Sequence, residues 1–144
     1  MPNIQLIQPA PEQLYQLNRF YRRNGHKGKA KPSDTAFWLE QQGEIIAGVR
    51  FSAAENGVLL RGLWVATEKR RQGLGSQLLR DTRTFWQHST CYCFPYNHLE
   101  AFYTHHGFKR LDESTTPAPL DQQLERYLRR GEKVILMAYQ PPCD

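Results

Sequence analysis

No apolar run in the 144 residues approaches the ~18 that a membrane-crossing helix needs, so a membrane protein is not expected. The opening MPNIQLIQPAPEQ has no basic stretch leading into an apolar one, which argues against a signal peptide. Cysteine is scarce: three residues, an odd number, exclude a disulfide-stapled scaffold and fit a reduced, cytoplasmic setting. Internal repeats and low-complexity tracts are also missing. Acidic residues are the minority, 14 against 19 Lys and Arg, and the net charge is +5. That excess allows a polyanionic partner without requiring one. Against these absences, 40% of the residues are hydrophobic, and a chain of this length can bury roughly 68–70% of its unfolded surface. One domain spanning residues 1–144 is expected, with no need of a staple.

The pattern of apolar residues predicts the elements. Ile4 and Leu6 alternate with polar neighbours over Asn3–Gln8, a strand. Pro11–Arg23 reads as a helix, with Pro11 in its first turn and Leu14, Leu17 and Tyr21 on one face. Thr35–Gln41 and Glu44–Ala53 form a hairpin about Gln42-Gly43, and Asn56-Gly57 turns into a strand Val58–Val65. Gly73–Gln87 is a helix that points Leu74, Leu78, Leu79 and Phe85 at the core, followed by a strand Thr90–Phe94. Leu99, Phe102 and Tyr103 share a face of a helix Asn97–His106, which Gly107 ends. A strand Phe108–Leu111 precedes a helix Pro119–Arg130, with Leu120, Leu124, Tyr127 and Leu128 on one side and Gly131 as its stop. Lys133–Tyr139 closes the chain as a strand, and Asn24–Ser33 and Glu113–Pro119 are loops. The order β α β β β α β α β α β predicts a mixed α/β (α+β) fold.

The most informative stretch is Leu63–Leu79, LWVATEKRRQGLGSQLL: strand, basic glycine loop, amphipathic helix. Glycines at 73 and 75 let backbone N–H groups approach a ligand where the helix begins. A helix start offers unpaired donors and the positive end of the dipole, and Arg70 and Arg71 add charge that suits a pyrophosphate. A tight turn with solvated arginines would share the same residues. Two phosphate motifs do not fit. No Lys-Ser/Thr follows the glycines, as a P-loop needs, and the three glycines of a dinucleotide fingerprint are not present.

The arrangement R-x-x-G-x-G at Arg70, Gly73 and Gly75 resembles the acyl-CoA pyrophosphate loop of the GNAT-type N-acetyltransferase superfamily. Downstream, LEAFYTHHGF (Leu99–Phe108) resembles that family's later helix, a Tyr followed by three residues and Gly-Phe. The resemblance covers about Thr35–Lys109 and, by element order, most of the chain. It implies a mostly antiparallel central sheet flanked by helices, a single acetyltransferase domain, and transfer of an acetyl group from acetyl-CoA to an amine without metal or covalent enzyme intermediate. It also implies residue roles. Gln72, Gly73, Leu74, Gly75 and Ser76 would hold the pyrophosphate with Arg70 and Arg71. Leu63–Val65 would pair with the pantetheine arm as an added strand. The backbone N–H of Val65 would face the developing oxyanion. Tyr103 would protonate the departing CoA thiolate, a phenol of ordinary pKa about 10 being protonated at neutral pH.

The proton acceptor for the amine stays open among Glu55, His98 and water, because the strand Val58–Val65 carries Arg61 and no carboxylate. Glu68 caps the loop or balances its arginines. Asn97 stands six residues before Tyr103 where relatives have Asn seven before it, so helix capping is its plainer role. Trp64 is read as packing. Cys91 and Cys93 face one side of a strand at a spacing poor for zinc and are read as structural thiols, with Cys143 free. Arg19, Arg22, Arg23, His26, Lys27, Lys29 and Lys31 form a basic run that is either a solvated loop or the border of a site for an acidic acceptor. Nucleic acid is disfavoured, since no stacking platform accompanies the charge. Arg126, Arg129 and Arg130 could border the acceptor site or a homodimer surface. A non-catalytic acyl-CoA-binding module on the same fold is the alternative reading.

Overall fold

The computed structural model describes residues 3–142, so the expectation for Cys143 lies outside the described residues. Alternating side chains produce strands close to their expected bounds: β1 (Ile4–Ile7), β2 (Thr35–Gln41), β3 (Glu44–Ala54) and β4 (Gly57–Val65). β1 pairs antiparallel with β2, and β2 with β3 across the Gln42-Gly43 turn. Three shorter strands follow, β5 (Thr90–Cys93), β6 (Lys109–Arg110) and β7 (Met137–Tyr139). β7 runs antiparallel to both β5 and β6. The mostly antiparallel sheet has the order β1-β2-β3-β4-β5-β7-β6 and is flanked by helices, as expected.

The helices are α1 (Leu14–Arg23), α2 (Leu74–Asp81), α3 (Arg83–Trp86), α4 (Glu100–His105) and α5 (Leu120–Arg129). A single helix was expected over Gly73–Gln87. It breaks at Thr82, whose hydroxyl donates to the Leu78 carbonyl at 2.7 Å, while its own carbonyl accepts the Phe85 N–H at 2.8 Å in a tighter turn. Phe85 is accordingly half-exposed at 37%, although its ring still meets Phe37 and Phe51. Leu128, expected on the apolar face of α5, is exposed. The strand expected over Lys133–Tyr139 is shortened because its first half takes other partners. Val134 bridges Tyr96 alone, and the Ile135 N–H donates to the Pro95 carbonyl at 2.9 Å. Asn97 is not a helix cap: it opens a 3₁₀ turn, Asn97–Leu99, that leads into α4.

Two compact units make up the chain. The first holds residues up to Ala53 together with Leu60–Phe85. Its core packs Leu14, Leu17, Phe20 and Tyr21 of α1 against Ala36 and Trp38 of β2 and against Ala66. Burying one such leucine contributes about 1.5–3 kcal/mol. The second unit holds Ala54–Leu59 with the residues from Trp86 onward, and its core is Leu59, Tyr92, Leu120, Leu136 and Ala138.

Candidate active site

The first unit presents a strand that runs into a loop and then a helix start. β4 is kinked at Gly62, whose φ of 60° is left-handed, and whose carbonyl accepts the Tyr21 hydroxyl at 2.8 Å. Leu63, Trp64 and Val65 follow, all half-buried. The Trp64 indole N–H donates to the Asn24 carbonyl at 2.6 Å, and the Asn24 side chain accepts the Thr67 N–H at 2.9 Å. The end of α1 is therefore fastened to the end of β4. Arg70 folds back over this strand. Its Nε donates to the Val65 carbonyl at 3.4 Å, and its guanidinium lies 5.3 Å from the Trp64 ring centre. The indole expected to serve only as packing is thus both a hydrogen-bond donor and a platform for a loop arginine.

Beyond Arg70 the chain turns twice through the left-handed region, at Arg71 (φ 68°) and at Gly73 (φ 77°). Gly73 is the N-cap of α2, and its carbonyl accepts the first intrahelical bond, from Gln77 at 3.0 Å. The N–H groups of Leu74 and Gly75 have no intrahelical acceptor. A left-handed residue entering a right-handed helix is the backbone geometry that gathers successive N–H groups around an anion. Leu74 is buried and anchors the helix, Gly75 and Ser76 are half-buried, and Arg70, Arg71, Gln72 and Gly73 are exposed. Leu63–Val65 and Arg70–Ser76 both belong to the first unit, and Arg70 is the residue of the loop that touches the strand, at Trp64 and Val65. Glu68, read as balancing the arginines, makes no ion pair with them among the described residues.

Tyr103 belongs to the second unit, on α4. It is buried, its ring packed on Phe102 and Phe108. Burial, with the Cys93 and Cys91 thiols nearby, holds its phenol well above the ordinary value and keeps it protonated. The same burial raises the Cys93 thiol, and Cys91 and Cys93 are both buried, reduced thiols. Of the proton acceptors considered, Glu55 is exposed at the β3–β4 turn and His98 is exposed and stacked on Tyr96. Glu132, which the sequence did not single out, has a buried carboxylate oxygen with no hydrogen-bond partner among the described residues. Such an oxygen can accept a proton or a ligand's N–H. Among the described residues no three His, Cys, Asp or Glu side chains group as a metal site, and no helix is long and apolar enough to cross a membrane.

A further cluster escaped the sequence reading. Arg50 of β3 is buried, with its Nε 3.8 Å from the Asp34 carboxylate and its Nη1 3.1 Å from His26 Nε2. His26, counted above in the basic run, is held neutral: burial, then Arg50, lower its pKa from 6.5 to about 4. The signal available was an arginine in the otherwise apolar run Ile45–Phe51.

A kinked strand passing into an arginine-bearing loop and a glycine-started helix, within a mostly antiparallel sheet, defines an acyl-CoA N-acyltransferase fold. The Acetyltransferase (GNAT) domain family matches residues 32–110, and the chain belongs to that family. In structure it is similar to an acyl-CoA N-acyltransferase from Pseudomonas aeruginosa, at 17% identity and a TM-score of 0.66, over 96% of this chain and 99% of that one. It is similar also to a PaiA N-acetyltransferase from Thermoplasma acidophilum in complex with coenzyme A, at 14% identity and a TM-score of 0.66, over 96% and 99% of the two chains. N-acetylglutamate synthase from Neisseria gonorrhoeae, complexed with coenzyme A and L-arginine, matches at 13% identity and a TM-score of 0.68, over 97% of this chain and 34% of that one. No curated protein matches in sequence.

Proposed function

We propose that the protein transfers an acetyl group from acetyl-CoA to a primary amine of a small-molecule or peptide acceptor. The observation that carries this reading is the helix start at Gly73, where left-handed backbone, bare N–H groups and Arg70 and Arg71 converge after the strand Leu63–Val65. In this reading Gln72–Ser76 and the two arginines take the pyrophosphate. The pantetheine amides pair with Leu63–Val65, and the Val65 N–H donates to the thioester oxygen as it gains charge.

The reaction is direct. The ammonium of the acceptor first loses a proton to Glu55, His98 or water. Its nitrogen then attacks the thioester carbonyl carbon, an N–C bond forms, and the carbonyl oxygen becomes anionic. Collapse breaks the C–S bond, the sulfur takes a proton from Tyr103, the amide nitrogen releases its second proton to solvent, and Tyr103 regains its proton from solvent. Arg19, Arg22, Arg23, Lys27, Lys29 and Lys31 are all exposed, as both a solvated loop and the border of a site for an acceptor carrying carboxylate or phosphate require.

Calorimetric titration with CoA and acetyl-CoA, followed by thiol release against a panel of amines, tests this reading. Saturable binding with amine-dependent thiol release is expected. Binding without release from any amine would make the protein an acyl-CoA sensor, and failure to bind either ester or thiol would remove both readings.

A further inference from the structure

The kink of β4 rests on a buried polar cluster that the mechanism above does not use. Arg50 is 6% exposed and always charged, and two backbones close on its guanidinium. A Cβ at Gly28 would stand 2.5 Å from Nη2, and one at Gly62 would overlap Nη1. The arginine is therefore held between the loop that follows α1 and the left-handed residue of β4, and neither glycine can carry a side chain without displacing it. Arginine only donates, so the His26 Nε2 that faces it accepts, and the imidazole proton sits on Nδ1. The His26 ring then fills the space between the Tyr21 ring, 4.4 Å away, and the Trp64 ring, 4.7 Å away. Arg50 also lies 5.3 Å from the centre of the Tyr21 ring, and the Tyr21 hydroxyl holds the Gly62 carbonyl at 2.8 Å. The group thus ties α1 and β3 to β4 at Gly62 and Trp64 and to the loop 24–34.

We propose that Tyr21, His26 and Arg50 are positioning residues that fix the Gly62 kink, thereby setting the backbone of Leu63–Val65 and coupling it to the loop 24–34. The catalytic side of this inference rests on the acyltransferase reading; the physical coupling does not. An oxyanion donor or a pantetheine-pairing strand that shifts by a fraction of an ångström loses transition-state stabilisation before it loses ground-state binding. Acyl-CoA would still be held by the phosphate loop at Arg70–Ser76.

Tyr21→Phe removes only the hydroxyl that holds the kink, His26→Gln keeps an acceptor toward Arg50, and Arg50→Lys keeps the charge but loses the fork. Amide hydrogen exchange read by mass spectrometry is expected to rise about tenfold in Tyr21→Phe within residues 60–66 and 24–34. Peptides covering 90–93 and 100–108 should be unchanged, and His26→Gln should stay near wild type. With acetyl-CoA and an accepted amine, kcat for thiol release should fall about tenfold or more in Tyr21→Phe while Kd for CoA changes by less than about threefold. Exchange raised equally in all peptides, or unchanged at 60–66, overturns the coupling, as does a folded Tyr21→Phe with wild-type kcat. Arg50→Lys should raise exchange in the same two segments, and if it fails to fold, Tyr21→Phe decides. If wild-type protein binds no CoA, the acyltransferase reading fails, and the exchange measurement still judges the coupling.

Discussion

The Phe108 N–H donates to the Tyr103 carbonyl at 3.1 Å, and the two rings meet edge-on with centroids 5.6 Å apart. With the Gly107 N–H on the Thr104 carbonyl at 3.0 Å and Gly107 at φ 94°, this is a complete Schellman stop for α4. The spacing Tyr-x-x-x-Gly-Phe thus has a physical origin before it has a catalytic one. It ends the helix one turn after Tyr103 and clamps that tyrosine's ring. The clamp uses the ring and the backbone and not the hydroxyl. Tyr103→Phe should keep the fold and the Kd for CoA while lowering kcat about 10²-fold, the usual scale for losing a positioned acid. Steady-state kinetics beside calorimetry checks this. Equal kcat at every pH would remove the proton-donor role.

The stop itself can be tested at Gly107. A Cβ there would lie 3.4 Å from the Tyr139 ring, tight but not forbidden, so the main cost of Gly107→Ala is the left-handed backbone. That cost is about 1–2 kcal/mol. For a domain of this size it should lower Tm by several degrees, measured by calorimetry.

What could be read in the sequence was local. The hairpin about Gln42-Gly43, the turn at Asn56 and the glycine-started helix after β4 each depend on neighbours a few residues away, so pattern and turn chemistry sufficed. What escaped depends on distant partners. Val134 pairs with Tyr96 rather than continuing β7, and nothing near Val134 announces it. Asn97 has the right chemistry for a cap, yet the chain enters α4 through a 3₁₀ turn that leaves it at the first position instead. Arg50 and His26 are 24 residues apart, and His26 reads as one member of a basic run while nothing beside Arg50 marks it as that histidine's partner, whereas the fold buries one against the other and silences the imidazole. The glycine-and-arginine loop before α2 was visible because its residues are close neighbours in sequence; the cluster beneath Gly62 was not.

Arg71 separates stability from binding. It sits at φ 68°, a conformation that costs an ordinary side chain about 1–2 kcal/mol, and it is exposed. Arg71→Gly should therefore leave stability unchanged or raise it by up to about 1 kcal/mol. The same change removes one charge from the phosphate loop, so Kd for CoA should rise several-fold and its salt dependence should weaken. Denaturant melts and titrations at two salt concentrations measure the two effects on one variant. Tighter CoA binding by Arg71→Gly would show that the strained arginine is there for some other contact.

His26 gives the acid side of the stability profile a defined origin. Its folded pKa of about 4 lies below the unfolded value of 6.5, so between these values the unfolded chain binds a proton that the folded chain refuses. Stability should accordingly rise with pH across that window and fall as the solution is acidified through it. The cause is physical contact: a proton on Nε2 would oppose the Arg50 guanidinium 3.1 Å away and break the only hydrogen bond that atom can accept. His26→Gln cannot titrate yet still offers an oxygen to Arg50, so its urea midpoint should depend less on pH between about 4 and 6.5 than that of the wild type. Equal slopes in the two proteins would mean that His26 takes up its proton without leaving Arg50, and the neutral tautomer assigned to it would have to be abandoned.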